Sequence, residues 1–408
     1  MDINNYCKVS GLILVIIVVL LIIYISRKKD GFGSMEKLLQ ENTDIELIRN
    51  TDKSTKDTCI IVNSDDFFSK VMTKGELGVA ESYMDGDWDT PDLERTLSNI
   101  ISNQVKLEKH IYSLEFLLLG LTNYITTYIP NNTLSSSKSN MSHHYDIGND
   151  LYYKMLGKHM QYTCAYYYKD GLTLDEAQNA KMELIAKKLK LKEGLTVLDM
   201  GCGFGSLATH LATKYKVHVV GVTLSKEQVK YHEEHFKHPN VTINYMDYRD
   251  VTGIFDRVYS IGMFEHVGKI NYKEYYDKCH SLLKDDGIMM MQTIGASRSK
   301  SKSDFLEKYI FPEFELPELP DLTKEYTDQW HLEDFQNLGL SYAKTLRDWH
   351  SNLGDWSDLP NYDTKFRRMW DFYLLGCAAS FQRKLIYLWQ IVYTKKCNTK
   401  FDCYYIRD

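Results

Sequence analysis

Hydrophobic and polar positions divide the chain into three regimes. The first is a nearly unbroken apolar run, Val9 to Ile25, closed at once by Arg27-Lys28-Lys29. About 17 apolar residues is the short end of a membrane span. A cleaved signal peptide fits less well, because the basic cluster follows the apolar run and no small-residue cleavage site is clear. The basic flank places the C-terminal side in the cytoplasm. The pattern predicts an N-terminal transmembrane helix within 1–32, a single-pass anchor carrying a cytoplasmic catalytic part.

The second regime, 33–130, has mixed, mainly helical periodicity and predicts a small N-terminal, mostly helical domain. Asp65-Asp66-Phe67-Phe68 starts one apolar-periodic segment, and Glu81 to Trp88 reads as a turn between packed elements. Ile111 to Ile129 is an apolar helix candidate whose polar interruptions suit a core or lipid contact better than a span. The Ser/Asn-rich stretch 131–142 reads as a linker.

The third regime, 143–408, alternates regularly. An amphipathic helix at Asp175 to Lys190 leads into a strand at Val197 to Asp199 and a helix ending near Lys214. A strand at Val217 to Thr223 precedes a helix at Lys226 to Phe236, and strands at Val241 to Met246 and Asp256 to Ile261 follow. A helix at Tyr272 to Leu283 and a strand at Gly287 to Thr293 continue the series. Such alternation predicts an α/β domain with a parallel sheet covered on both faces. Ligands in such sheets bind at the carboxyl ends of the strands. Gly201 to Gly205, Thr223 to Ser225, Asp247-Tyr248, Glu265-His266 and Gln292 to Gly295 all fall at such ends.

Composition narrows the chemistry. A net charge of −6 gives no electrostatic case for nucleic acid. The eight cysteines show no metal or redox spacing, and His143-His144 has no second ligand cluster, so no metal is expected. The 30 tyrosines suit core packing, or an aromatic pocket for a cation or a lipid tail.

The stretch Thr196-Val197-Leu198-Asp199-Met200-Gly201-Cys202-Gly203-Phe204-Gly205 reads as strand, glycine turn and helix start. Its glycines let the backbone approach a nucleotide-like ligand at a helix N-terminus. The spacing G-x-G-x-G differs from the dinucleotide fingerprint and is more usual for S-adenosylmethionine. The second strand ends in Val222-Thr223-Leu224-Ser225, without the acid that commonly holds ribose hydroxyls.

These residues resemble the cyclopropane fatty acid synthase family, which includes the mycolic acid cyclopropane synthases. Leu198 to Gly205 is similar to its cofactor turn, and Gly221 to Gln228 to its second strand, where Thr and Gln replace the acid. Tyr162 to Tyr166, Gly262 to Gly268, Lys308 to Pro312 and Asn361 to Gln390 resemble further family blocks. Leu77 to Gly86 resembles the N-terminal domain of bacterial lipid-acting members.

The resemblance implies a Rossmann-like class I S-adenosylmethionine methyltransferase sheet with helices on both faces. It implies a cofactor held by Tyr162, Thr163, Val197, Asp199, Gly201, Cys202, Gly203, Phe204, Gly205, Thr223, Leu224, Gln228, Asp247 and Tyr248. The implied reaction moves a methyl group to the cis double bond of an unsaturated phospholipid acyl chain, with a bound bicarbonate as base. Cys164 through its backbone, Ile294 through its N–H, Tyr342 through its hydroxyl and Glu265 as orienter would hold that anion. The family's histidine is Gln292 here, which donates but cannot carry charge. Cys377 falls on a cysteine suggested as a family nucleophile. A homodimer is a further expectation. Two other readings stay open: an N-methyltransferase acting on an amine or headgroup, and a lipid-binding relative impaired in catalysis.

Overall fold

The computed structural model describes residues 31–49, 56–103, 106–107, 148–296, 303–324, 328–404 and 406–407. The expected anchor, the Ile111 to Ile129 helix, the 131–142 linker and the His143-His144 pair lie outside them. Among the described residues no helix is long and apolar enough to cross a membrane. The chain divides into two compact units, 1–131 with Asp363–Phe372, and 132–362 with Tyr373–Asp408.

The first unit contains helices α1 (Gly31–Asn42), α2 (Asp66–Lys74), α3 (Glu76–Asp85) and α4 (Leu93–Ser102). It also holds a small sheet that periodicity did not reveal. β1 (Glu46–Arg49) runs parallel to β2 (Cys59–Val62), and β3 (Trp88–Asp89) pairs antiparallel to β2. The stretch read as a turn at Glu81 to Trp88 is mostly helix. α3 runs to Asp85, and Gly86 ends it in the left-handed region at φ 81°. The strands were missed because four-residue and two-residue segments are too short to show a period.

The second unit opens with α5 (Asn149–Leu156) and α6 (Leu174–Lys188). Thr173 and Glu176 form a reciprocal capping box that fixes where α6 begins. Then follow β4 (Thr196–Met200), α7 (Ser206–Tyr215), β5 (His218–Thr223), α8 (Lys226–His235), β6 (Val241–Tyr245), β7 (Phe255–Ile261), α9 (Tyr272–Leu282) and β8 (Leu283–Ala296). The unit closes with α10 (Asp304–Tyr309), β9 (Trp330–Asn337), α11 (Gly339–Leu353), α12 (Thr364–Gln382), whose first residues count with the first unit, and β10 (Ile386–Lys395).

The seven strands lie in the order β6-β5-β4-β7-β8-β10-β9. The expected parallel pairing holds from β6 through β8. It fails beyond that, because β10 runs antiparallel to both β8 and β9. The sheet is therefore mixed. Long-range pairing placed these two strands, which local alternation could not foresee.

Two cores cover the two faces. Tyr272, Tyr275, Tyr276 and Cys279 of α9 pack on one face with Leu198, Met289 and Ile391. Met182 and Ile185 of α6 and Leu207 and Leu211 of α7 pack on the other with Val197, Val219 and Met290. Chain order reverses direction between β4 and β7, and the carboxyl ends beside such a switch form the ligand crevice.

Candidate active site

Two glycine turns meet at the switch. Gly201, Gly203 and Gly205 have φ of 82°, 55° and 79°, and Gly262, just after β7, has 69°. L side chains rarely adopt these values, so the turns depend on glycine. A Cβ on Gly201 would come within 2.8 Å of the Met263 side chain, and one on Gly205 within 2.4 Å of His232 Nδ1. A Cβ on Gly203 would meet nothing within 4 Å, so this turn opens onto space. The start of α7 then presents free N–H groups beside it. This open, left-handed cradle fits the amino-acid and ribose portion of S-adenosylmethionine.

The other residues expected at the cofactor are placed as follows. Thr223 Oγ1 donates to Gln228 Oε1 at 2.5 Å, so the pair that replaces an acid is joined at the end of β5. Leu224 beside it is exposed. Asp247 begins the next strand-end loop, its carboxylate bound by the Arg249 guanidinium at 2.9 and 2.7 Å and held below the usual carboxylate range by it. Tyr248 packs edge-on against Tyr275, centroids 5.8 Å apart. Phe204 packs edge-on against Tyr231 at 5.0 Å, and Cys202 lies against Gly221.

Two of the expected residues are inside the sheet layer. Val197 is buried in the core, paired with Val219 and Arg257 on its neighbours. Asp199 is also buried, and its Oδ2 accepts from the Tyr259 hydroxyl at 2.8 Å. Burial pushes Asp199 up to about 7, against the pull of Tyr259 and Lys181.

The segment before α6 carries Tyr162, Thr163 and Cys164 over this crevice. Gln161 ties it to the start of α7, its Nε2 donating to Ser206 Oγ at 3.3 Å. Thr163 lies against Gly262, where a Cβ would be 3.2 Å from its methyl. Tyr162 and Tyr373 share a hydroxyl hydrogen bond of 2.9 Å, and the Tyr162 ring sits 5.3 Å from Trp349 and 6.3 Å from Phe311. Tyr342 packs edge-on against Trp349 at 6.0 Å and on Phe381 at 4.7 Å. Sequence reasoning named Tyr162 and Tyr342. It missed Trp349, Tyr373, Phe311 and Phe381, which only tertiary packing gathers.

Glu265 is the polar centre of this aromatic region. It follows β7 in a short 3-10 turn, and its Oε1 accepts the Ile294 N–H at 2.6 Å. Its Oε2 is buried and, among the described residues, makes no hydrogen bond of normal geometry, although the Thr293 side chain is near enough to favour the carboxylate. Burial raises Glu265 to about 7, so near neutrality a large share of it is protonated where an ordinary glutamate is ionised. Around Tyr342 stand Tyr373, Cys164, Glu265 and Cys377, each near enough to push its hydroxyl up, with burial the larger cause. His266 is driven towards its neutral form by burial.

The expected anion-site residues thus fall into two groups. Glu265, Cys164 and Cys377 lie near enough to Tyr342 for their charges to act on its hydroxyl. Ile294 joins them with its N–H directed to Glu265. Gln292 is buried on β8, its Oε1 accepting from Gln390 Nε2 of β10 at 2.9 Å. The Cys164 thiol is buried, pushed up by burial, and directed at the Ala165 carbonyl. The protonated form of Glu265, through Oε2, and the neutral Tyr342 hydroxyl are two donors of this region. That set fits a small anion such as bicarbonate. No group of three or more His, Cys, Asp or Glu suited to a metal occurs among the described residues.

The family model for mycolic acid cyclopropane synthetase matches residues 132–391. The chain belongs to this family. The cyclopropane-fatty-acyl-phospholipid synthase of Escherichia coli K12 is 39% identical over 339 residues, 82% of this chain and 87% of that one. The family likeness extends to solved structures. The mycolic acid cyclopropane synthase CmaA1, complexed with SAH and CTAB, superposes with a TM-score of 0.58 at 31% identity, over 64% of this chain and 98% of that one. Coclaurine N-methyltransferase gives a TM-score of 0.61 at 20% identity, over 78% of this chain and 99% of that one, a likeness of fold alone.

Proposed function

We propose that the chain is an S-adenosylmethionine-dependent methyltransferase that adds one carbon to the cis double bond of unsaturated acyl chains in phospholipids, giving cyclopropane fatty acids. The observation that carries this reading is the buried Glu265 carboxyl, one oxygen fixed by Ile294 and the other without a partner among the described residues, at the same carboxyl end of the sheet as the glycine turn. The family's named members act on lipid chains, and the site has the character that such chemistry needs.

An alkene is a weak nucleophile, so water must be kept from the reacting carbons. Tyr162, Trp349, Phe311, Tyr342 and Phe381 supply that dry wall. Bound S-adenosylmethionine supplies an electrophilic methyl on a sulfonium. Aromatic faces stabilise positive charge by about 0.5–2 kcal/mol per ring. Glu265, Tyr342 and the Cys164 backbone would hold a bicarbonate-sized anion, which would supply a base for proton removal. Burial disfavours the charge on Glu265 and so favours the protonated form, which donates to such an anion. Gln292 Oε1 accepts from Gln390 Nε2, which orients the amide so that its N–H groups are its donors. Since Gln292 cannot relay a proton, a methyl-branched product is the second reading.

The apolar run at Val9 to Ile25 and its basic flank support a single-pass anchor with the catalytic unit on the cytoplasmic side. The enzyme would then meet its substrate in the bilayer.

Full-length protein incubated with methyl-labelled cofactor and vesicles of unsaturated phospholipid should place label in the acyl chains. Mass spectrometry should find a gain of one CH₂ per modified chain, and the hydrogen count separates ring from branch. Label confined to headgroups would overturn the reading in favour of N-methylation.

A further inference from the structure

Lys181 of α6 is 1% exposed. Its two hydrogen bonds go to uncharged acceptors, Gln161 Oε1 and Thr163 Oγ1, the latter at 2.8 Å. Among the described residues the carboxylate that acts on it is Asp199, and that group is bonded instead by Tyr259. Burying an ammonium without a directly bonded counter-ion is unfavourable. Lys181 satisfies Gln161 Oε1 and Thr163 Oγ1, but an uncharged donor could do the same, so stability alone gives no reason for a buried charge here.

The two groups that Lys181 holds face the cofactor cradle. Gln161 also donates to Ser206, the first residue of α7 after the glycine turn. Thr163 lies against Gly262, the second turn of the switch. Lys181 is thus one hydrogen bond removed from each of the two turns, through Gln161 and Thr163. S-adenosylmethionine carries a carboxylate at its amino-acid end.

We propose that Lys181 is the buried cation that balances the cofactor's carboxylate, acting through the Thr163 hydroxyl that it holds. This makes it a positioning residue for cofactor binding. The inference rests on the cofactor reading given above.

A charge of this kind is linked to pH. Burial lowers Lys181 to about 7, with Cys164 and Asp199 pulling upwards. The titratable groups facing it are Asp199 from β4, raised to about 7 by burial, and Tyr259 from β7, which acts through Asp199 and stays protonated. Cys164 and His159, both on the segment before α6, are pushed by burial towards their neutral forms. Above about pH 8 Asp199 is ionised and Lys181 is largely neutral. An arriving carboxylate raises Lys181, so a proton is taken up on binding. Affinity for a carboxylate-bearing ligand accordingly falls as pH rises through the free lysine's value.

The test is titration calorimetry of the full chain with S-adenosylhomocysteine and with 5′-methylthioadenosine, which lacks the amino-acid end. Measurements at about pH 6.5 and about pH 8.5, in buffers of different ionisation heat, give the proton count. Lys181→Met should weaken S-adenosylhomocysteine by about tenfold or more and leave methylthioadenosine within about twofold. It should also abolish the proton uptake at the higher pH. The ligand's own amino proton contributes equally to wild type and variant, so the difference belongs to Lys181. Lys181→Arg should restore the preference.

Equal weakening of both ligands in Lys181→Met, or an unchanged proton count, would overturn the proposal. If Lys181→Met does not fold, the wild-type series decides. A homocysteine-to-methylthio affinity ratio that does not fall with pH overturns it. Should wild type bind neither nucleoside, the cofactor reading falls first and takes this inference with it.

Discussion

The side-chain amide of Gln390 donates to Gln292 Oε1 across 2.9 Å, joining two buried glutamines that stand in register on β10 and β8. Gln336 of β9 occupies the same row, so three adjacent strands each place a glutamine there. Gln390→Leu would leave Gln292 Oε1 buried without a donor, which costs about 1–3 kcal/mol. Urea denaturation should show that loss. Activity should fall further than stability explains, because the Gln292 amide is then free to turn over. Gln292→His should keep the contact through a ring nitrogen and add a pH limb near the imidazole value, about 6.5, to the kcat profile. An unaltered profile would show that position 292 takes no part in the proton's departure.

Glu265 binds its proton more tightly in the folded chain than in the unfolded one. Its ionisation therefore subtracts from stability as pH rises from about 4.5 to about 7, by roughly 3 kcal/mol in full. Below that window the effect vanishes, because both states are protonated. Glu265→Gln should match wild type in denaturation midpoint near pH 4 and exceed it near pH 8. Its kcat should fall by about 10²-fold or more. The Ile294 N–H keeps an acceptor in the glutamine, so the loss should appear without unfolding.

The glycine turn tolerates no side chain at Gly205. The φ of 79° disfavours any L residue, and a Cβ would stand 2.4 Å from His232 Nδ1. Gly205→Ala should cost about 1–3 kcal/mol and weaken S-adenosylhomocysteine binding in calorimetry. The double variant Gly205→Ala with His232→Ala should recover the part due to the clash and not the part due to the backbone.

The Cys164 thiol is not placed as a nucleophile, and the proposed chemistry needs no thiolate at Cys377. Cys164 is fully buried with its thiol pushed up by burial and directed at a backbone carbonyl. Cys377 is half-buried beside Tyr373 and Tyr342. Removing an essential nucleophile can cost on the order of 10⁶ in kcat. Cys377→Ser and Cys164→Ala should stay far above that level, and no methylated cysteine should be trapped in single-turnover mass spectrometry.

Much of the catalytic unit was legible along the chain, because its determinants are local. Strands β4 to β7 and helices α6 to α9 follow from runs of apolar positions with caps such as Thr173/Glu176 and Ser225. The turn at Gly201 to Gly205 is a local backbone requirement, which three glycines in five residues declare. The family blocks named Glu265, Ile294 and Tyr342, and these do lie at the carboxyl end of the sheet.

Tertiary structure alone decided the rest. β10 closes the sheet antiparallel between β8 and β9, a choice made by partners far off along the chain, such as Gln292 and Gln336 opposite Gln390, and not by its own pattern. Packing brings Tyr162 to Tyr373 across 211 residues. It also leaves Lys181 buried against Thr163 with no bonded counter-ion, though in the sequence it is one polar position on an amphipathic helix. A lysine's charge, a glutamate's proton and a glutamine's orientation depend on what the folded chain removes from water around them. Sequence order carries no term for that.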